Sequence, residues 1–355
     1  MIPAHPLTPM MKRRTFLKTV GTAAGGIAVG FSPAFADPAD PTRKLIPHAS
    51  GLPRRMLGRT GQAISIIGFP GLALARATQE VANAAVRASF EKGMNYFDVA
   101  PAYGRGKAEI AMGPALQSLP RDQIFLSCKT QKRDAVGAME ELETSLTRLK
   151  TDHFELYQLH VMSTAADVKQ AFGPGGAMET LVKARKQGKV RWLGFSAHTK
   201  EAALECLRQF KFETVMYPVN FIEHYTHKFD PEVLTLARQH GAAVIAIKPI
   251  SAGSWKPGEV KTRNNYWYKA LEAQDEINQA FRFALSLDPV VTAIPTSFID
   301  LNERSIVAGI AYRPATAQDL ESMRALAEKY SPLFFQRKPL YLGAVGPHTT
   351  YYAHA

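Results

Sequence analysis

The stretch from residue 154 to residue 196 decides the fold. It opens with Phe154-Glu-Leu-Tyr-Gln-Leu-His160, passes through an amphipathic segment at Met178 to Gln187, and closes with Val190-Arg-Trp-Leu-Gly-Phe-Ser196. The flanking runs are short and rich in aromatic and aliphatic residues, which suits buried strands, and the middle segment carries its apolar residues at helical spacing. Two strands joined through a helix are parallel, because a tight turn cannot reverse the chain and still connect parallel neighbours.

The same alternation extends in both directions. Strand expectations fall on Ile64 to Gly68, Tyr96 to Val99, Ile124 to Lys129, Phe154 to His160, Val190 to Ser196, Thr214 to Tyr217, Ala243 to Lys248 and Val290 to Ile294. Helix expectations fall on Glu80 to Lys92, Ala135 to Leu149, Met178 to Gln187, Glu201 to Phe210, Pro231 to His240 and Glu272 to Leu287. Eight strand-helix units are the number that closes an α/β barrel, and no Gly/Ser linker divides them, so the expectation is one (β/α)8 TIM barrel over 53–315. An open doubly wound sheet would want G-x-G-x-x-G after its first strand, whereas Phe69-Pro-Gly-Leu72 follows here. Before it, Arg54-Arg-Met-Leu-Gly-Arg-Thr-Gly61 has the turn chemistry of an N-terminal β-hairpin.

The chain has 355 residues, 46% hydrophobic, with 43 Lys+Arg against 31 Asp+Glu and a net charge of +12. That composition excludes a disordered chain and a disulfide-stapled mini-domain. The charge invites a nucleic-acid or membrane partner, but Lys12, Arg13, Arg14 and Lys18 sit in a head that has no acidic residue before Asp37. Without those four, 39 basic residues face 31 acidic ones, a net +8. No basic run interleaved with stacking aromatics marks a nucleic-acid face.

That head places Lys12-Arg-Arg-Thr-Phe-Leu-Lys18 before a Gly- and Ala-rich apolar stretch from Val20 to Phe31 and an Ala34-Phe-Ala36 site. This is the order of an export signal, and about 12 apolar residues are too few for a membrane-spanning helix. It resembles the twin-arginine signal of bacteria, which implies export to the periplasm by the twin-arginine translocation machinery. The expected organisation is therefore a signal over 1–36, a mobile lead over 37–52, the barrel, and a C-terminal helix and tail over 316–355. Cys128 and Cys206 are expected as buried free thiols, and no CxxC spacing supports a metal cluster.

Polar residues at the C-terminal ends of barrel strands line active sites. Asp98, Lys129 and His160 end the second, third and fourth strands, and Tyr103 follows Asp98 closely. Together they suit acid catalysis on a carbonyl. A phenol with an ordinary pKa of ~10 donates a proton poorly at neutral pH unless a cation such as Lys129 stabilises the phenolate; Asp98 would orient that lysine and His160 the substrate oxygen. His224 and His227 have ligand-like spacing but no third ligand, and read as loop histidines. Trp255, Tyr266, Trp267 and Tyr268 read either as an aromatic wall of the substrate pocket or as the packing of a long loop onto the barrel.

Four segments, Arg54 to Gly61, Gly93-Met-Asn-Tyr-Phe-Asp-Val-Ala-Pro-Ala-Tyr-Gly104 with Glu109, Leu156 to His160, and Arg191 to Ser196, resemble the aldo-keto reductase family in order and spacing. The resemblance implies a barrel that binds NADP(H), or less often NAD(H), and moves hydride between the nicotinamide and a carbonyl or alcohol carbon of a small-molecule substrate. It places the family tetrad on Asp98, Tyr103 (general acid), Lys129 and His160. It places cofactor contacts on Ser196, Asn220, Lys248, Pro249, Ile250 and Asn302, with Lys248 toward a phosphate. The cradle departs from the family at Ala197, Met216, Ile247, Thr296, Ser305 and Ile306, where Asn, Gln, an aromatic, Gly, Glu and Asn are usual, and resembles a branch with a Gly-Phe-Ser-x-His segment and a Lys-Pro after the seventh strand. Those departures motivate an alternative, a cofactor-binding, redox-sensing subunit with little turnover.

Overall fold

The computed structural model describes residues 44–256, 258–263 and 267–334. The expected signal, Tyr266 and the end of the tail lie outside the described residues. Eight parallel strands form one sheet: β1 Phe69–Pro70, β2 Tyr96–Asp98, β3 Phe125–Thr130, β4 Phe154–Met162, β5 Val190–Ala197, β6 Thr214–Pro218, β7 Ala243–Ile247 and β8 Val290–Ile294. Neighbours pair in chain order. The Ala293 N–H donates to the Ile66 carbonyl and the Gly68 N–H to the Ala293 carbonyl, each at 3.0 Å, so β8 meets the chain entering β1 and the sheet closes. This is the (β/α)8 barrel that the alternation of strands and helices implies.

The first strand is where expectation and structure part. The run from Ile64 to Gly68 is split: Ala63–Ser65 pairs antiparallel with Arg54–Met56 as the hairpin, and the barrel strand is the later Phe69–Pro70. Ile64, Ile66 and Ile67 are all fully buried, so hydrophobicity alone gives no mark of where the chain leaves the hairpin. The other seven strands match within about two residues at their C-terminal ends. Helix Ala135–Leu149 matches to the residue, because Asp134 caps it by accepting the Gly137 N–H at 2.7 Å and Lys150 ends it in the left-handed region.

Four helices escape periodicity: Lys107–Leu116, Ala165–Phe172, Phe221–His227 and Ile299–Ile310. Lys107–Leu116 is buried at seven of its ten positions and contains Gly113 and Pro114, so it has no polar face to reveal a period. The barrel interior is a cluster of Tyr96, Phe125, Leu156, Met216, Ile245 and Ile294, into which the hairpin inserts Leu57 and Ile64. Arg59, at the hairpin tip, donates to the carbonyls of Lys211, Phe212, His240 and Gly241. The hairpin is thus fixed to the segments leading into β6 and β7, at the N-terminal end of the barrel, and the opposite end is left for chemistry.

Two further expectations are revised. The lead expected to be mobile over 37–52 is pinned from Ile46, whose N–H and carbonyl pair with Arg54 at 2.8 and 2.9 Å, and Leu52 is fully buried. His224 and His227 lie on helix Phe221–His227 rather than in a loop, and His224 Nδ1 lies 2.9 Å from an Asp230 oxygen in a buried pair. Cys128 and Cys206 are free and buried, and burial pushes the Cys206 thiol up to about 12.

Candidate active site

Strand register brings the side chains of the expected site together. Asp98 ends β2 opposite Ser127 of β3, so Lys129, two residues on along the same face, leans back over it. Lys129 Nζ donates to Asp98 Oδ2 at 2.5 Å, to the Val99 carbonyl at 3.1 Å and to the Tyr103 hydroxyl at 3.0 Å. All three donor positions of the ammonium are therefore used, and Lys129 is wholly buried. The Tyr103 hydroxyl stands 3.5 Å from Asp98 Oδ2. Gly71, in the loop after β1, passes so close to this strand that a Cβ there would lie 2.2 Å from the Asp98 carbonyl oxygen. Only glycine lets that loop close over Asp98.

His160 faces the same centre, edge-on to the Tyr103 ring at 5.7 Å between centroids. Its placement depends on a kink. Val161 adopts φ +58°, a left-handed conformation that a β-branched residue enters only at a cost of about 1–3 kcal/mol. The kink is clamped from both sides. Arg133 donates to the carbonyls of His160 and Val161 at 2.9 and 3.0 Å, and the Val161 N–H donates to Ser196 Oγ at 2.8 Å. Arg133 is itself held by Asp167 at 3.0 Å. Sequence reading missed Arg133, since its partners are backbone carbonyls that no motif displays.

Burial holds the His160 imidazole well below its ordinary pKa, with Lys129, His198, Arg133 and Lys248 adding to the effect. His160 is therefore neutral, and its buried Nδ1 has no hydrogen-bond partner among the described residues. The tautomer with its proton on Nε2 avoids burying an N–H that has no acceptor. Burial also raises the Asp98 carboxyl, and the Lys129 ammonium opposes that rise.

Asp98, Tyr103 and His160 line one cavity of about 740 Å³ at the C-terminal ends of the strands, a volume in the usual range for small-molecule sites. Met216, Ile247 and Ile294 give it an apolar floor, and Ser196 and His198 border it. Ser196 accepts from Val161, which leaves its hydroxyl proton for the cavity. Trp267 and Tyr268 line the cavity as expected, whereas Trp255 lies under the Lys269 ammonium instead. Lys248 lines it too. The remaining residues expected at the cofactor do not. Asn220 caps helix Phe221–His227 by accepting the Glu223 N–H, Pro249 and Ile250 are buried outside the lining, and Asn302 donates to Ser89 Oγ at 2.9 Å, on a neighbouring helix. Ile299, Asp300 and Glu303, from the same helix as Asn302, face the cavity in its place.

The chain matches the Aldo/keto reductase family over residues 67–328. A probable aldo-keto reductase of Glycine max is 25% identical over 217 residues, a match that spans 56% of this chain and 59% of that protein's own length. An aldo-keto reductase from Bacillus halodurans superposes with a TM-score of 0.63 at 23% identity, covering 80% of this chain and 98% of that one. One from Klebsiella pneumoniae, in complex with NADPH, superposes with a TM-score of 0.59 at 22% identity, covering 79% and 95%. A family match over 67–328, on a closed eight-stranded barrel, makes the chain a member of the aldo/keto reductase family.

Proposed function

We propose that the protein is an oxidoreductase that interconverts a carbonyl and an alcohol on a small molecule, using NADP(H) or NAD(H), with Tyr103 as general acid and base. One observation carries the reading: Lys129 Nζ contacts Asp98 at 2.5 Å and the Tyr103 hydroxyl at 3.0 Å, while Tyr103 and neutral His160 share one cavity. A bound nicotinamide supplies or accepts the hydride. In reduction, His160 donates its Nε2 proton as a hydrogen bond to the carbonyl oxygen, which aligns that oxygen with the Tyr103 hydroxyl. Tyr103 gives its proton to the oxygen as negative charge develops there. Lys129 then stabilises the phenolate left behind, and Asp98 keeps the ammonium in place. Ser196 is the side chain suited to hold the carboxamide.

This arrangement favours turnover over a sensing role, because every member of the proton path is present and within contact distance. Mixing purified protein with an aromatic aldehyde and NADPH, and separately NADH, tests it. Loss of the reduced-nicotinamide absorbance is expected; bound nucleotide without consumption would favour the sensing subunit. We further propose that Arg13-Arg14 directs export through the twin-arginine pathway to the periplasm. Replacing both by lysine is expected to leave the protein in the cytoplasmic fraction, and unchanged export would refute it.

A further inference from the structure

Lys248 follows β7 directly and its side chain lines the cavity that holds Tyr103 and His160. It is 9% exposed and sits at φ +58°, a backbone state that side-chain-bearing residues avoid, so the fold bears strain to aim it. Its ammonium lies 5.8 Å from the centre of the Trp267 ring and 5.6 Å from that of Phe334. No hydrogen bond or ion pair to it occurs among the described residues. Of the other charged residues that line the cavity, Asp98 is held by Lys129 and Asp300 by Arg263 Nη2 at 2.6 Å, while Arg76 and Glu303 are exposed. Glu223 is the acid that acts on Lys248, but it makes no ion pair with it: Glu223 Oε1 accepts from the Leu333 and Phe334 N–H groups of the segment that places Phe334, and its buried Oε2 has no hydrogen-bond partner among the described residues.

A buried cation between two aromatic faces, with no anion of its own, is half of an ion pair. Burial lowers the lysine to about 7, and an anion beside it would favour the charged form. Lys248 lines the same cavity as Tyr103, His160 and His198, so the ammonium and the proposed reacting groups open onto one space.

We propose that Lys248 binds a carboxylate on the substrate, so that the pocket selects carbonyl and alcohol compounds that also carry a carboxylate group. The proposal rests on the oxidoreductase reading for the position of the reacting carbon, and it moves Lys248 from the cofactor phosphate to the substrate.

The probes are 4-formylbenzoate and 4-formylbenzamide, which share a ring and an aldehyde and differ in charge. With enzyme saturated in NADPH, Lys248→Met is expected to raise KM for the benzoate roughly 10- to 100-fold, the loss of a charge-assisted hydrogen bond. KM for the benzamide and Kd for NADPH should stay within about twofold, and Lys248→Arg should recover part of the loss. Terephthalate binding to the protein with oxidised nucleotide, followed by calorimetry, should weaken by the same factor in Lys248→Met. Equal effects on both aldehydes, or no wild-type preference for the benzoate, would overturn the proposal. So would weaker NADPH binding with the benzoate preference intact, which would assign the lysine to a cofactor phosphate. If neither aldehyde is reduced, the oxidoreductase reading fails, and terephthalate binding still decides the role of Lys248.

Discussion

At the scale of single residues, the molecule uses burial to set protonation states. His160 is neutral because burial disfavours a charged imidazole and Lys129, His198, Arg133 and Lys248 oppose a further positive charge there. Glu223 shows the same physics in a carboxyl. Burial raises it from 4.5 to about 7, against the pull of the Leu333 and Phe334 N–H groups and of Lys248. The folded state thus holds this proton more tightly than the unfolded chain does. Its contribution to stability is complete below pH 4.5 and is lost as pH rises through about 7. Glu223→Gln keeps an oxygen for both N–H groups and removes the titration. Urea unfolding on either side of that window should show the wild type losing on the order of 3 kcal/mol more than the variant.

At the scale of elements, the site depends on how β4 ends. His160 is carried into place by a bulge between Leu159 and Met162, where the ladder to β5 shifts register, and Arg133 offsets the strain at Val161 through bonds to two carbonyls. Arg133→Met is expected to lower kcat/KM on the order of 10- to 100-fold through misplacement of His160, with nucleotide Kd unchanged in fluorescence titration. Such features mark the limit of what was legible in the sequence. Asp98, Tyr103, Lys129 and His160 could be named in advance, because each stands at or just beyond a strand end whose hydrophobic run is plain. The clamp at Val161, the cap at Asn220 and the Asn302 contact with Ser89 could not, because they depend on backbone conformation and on which side of a helix faces the barrel. Helix Lys107–Leu116 stayed hidden for a related reason: it is buried nearly all round, and its Glu109 meets Arg148 at 3.0 Å instead of water.

At the scale of the whole molecule, stability and chemistry occupy opposite ends of the barrel. The hairpin closes the N-terminal end with Leu57 and Ile64, and the cavity opens at the C-terminal end. Leu57→Ala is therefore expected to lower unfolding free energy by about 2–5 kcal/mol in urea titrations, while kcat/KM of the folded protein stays within about twofold. The division also explains why the first strand was misread. Its hairpin and barrel portions are equally buried, and only the closure of the sheet between Ala293 and the chain at Ile66 to Gly68 separates their roles.

The central claim is that the Tyr103 hydroxyl, held by Lys129, carries the proton of a hydride-transfer reaction. Steady-state reduction of an aromatic aldehyde by Tyr103→Phe, alongside nucleotide Kd, tests it most directly. The account predicts kcat lower by roughly 10²- to 10⁴-fold with nucleotide affinity unchanged; a variant that reduces the aldehyde within about tenfold of the wild-type rate would contradict it.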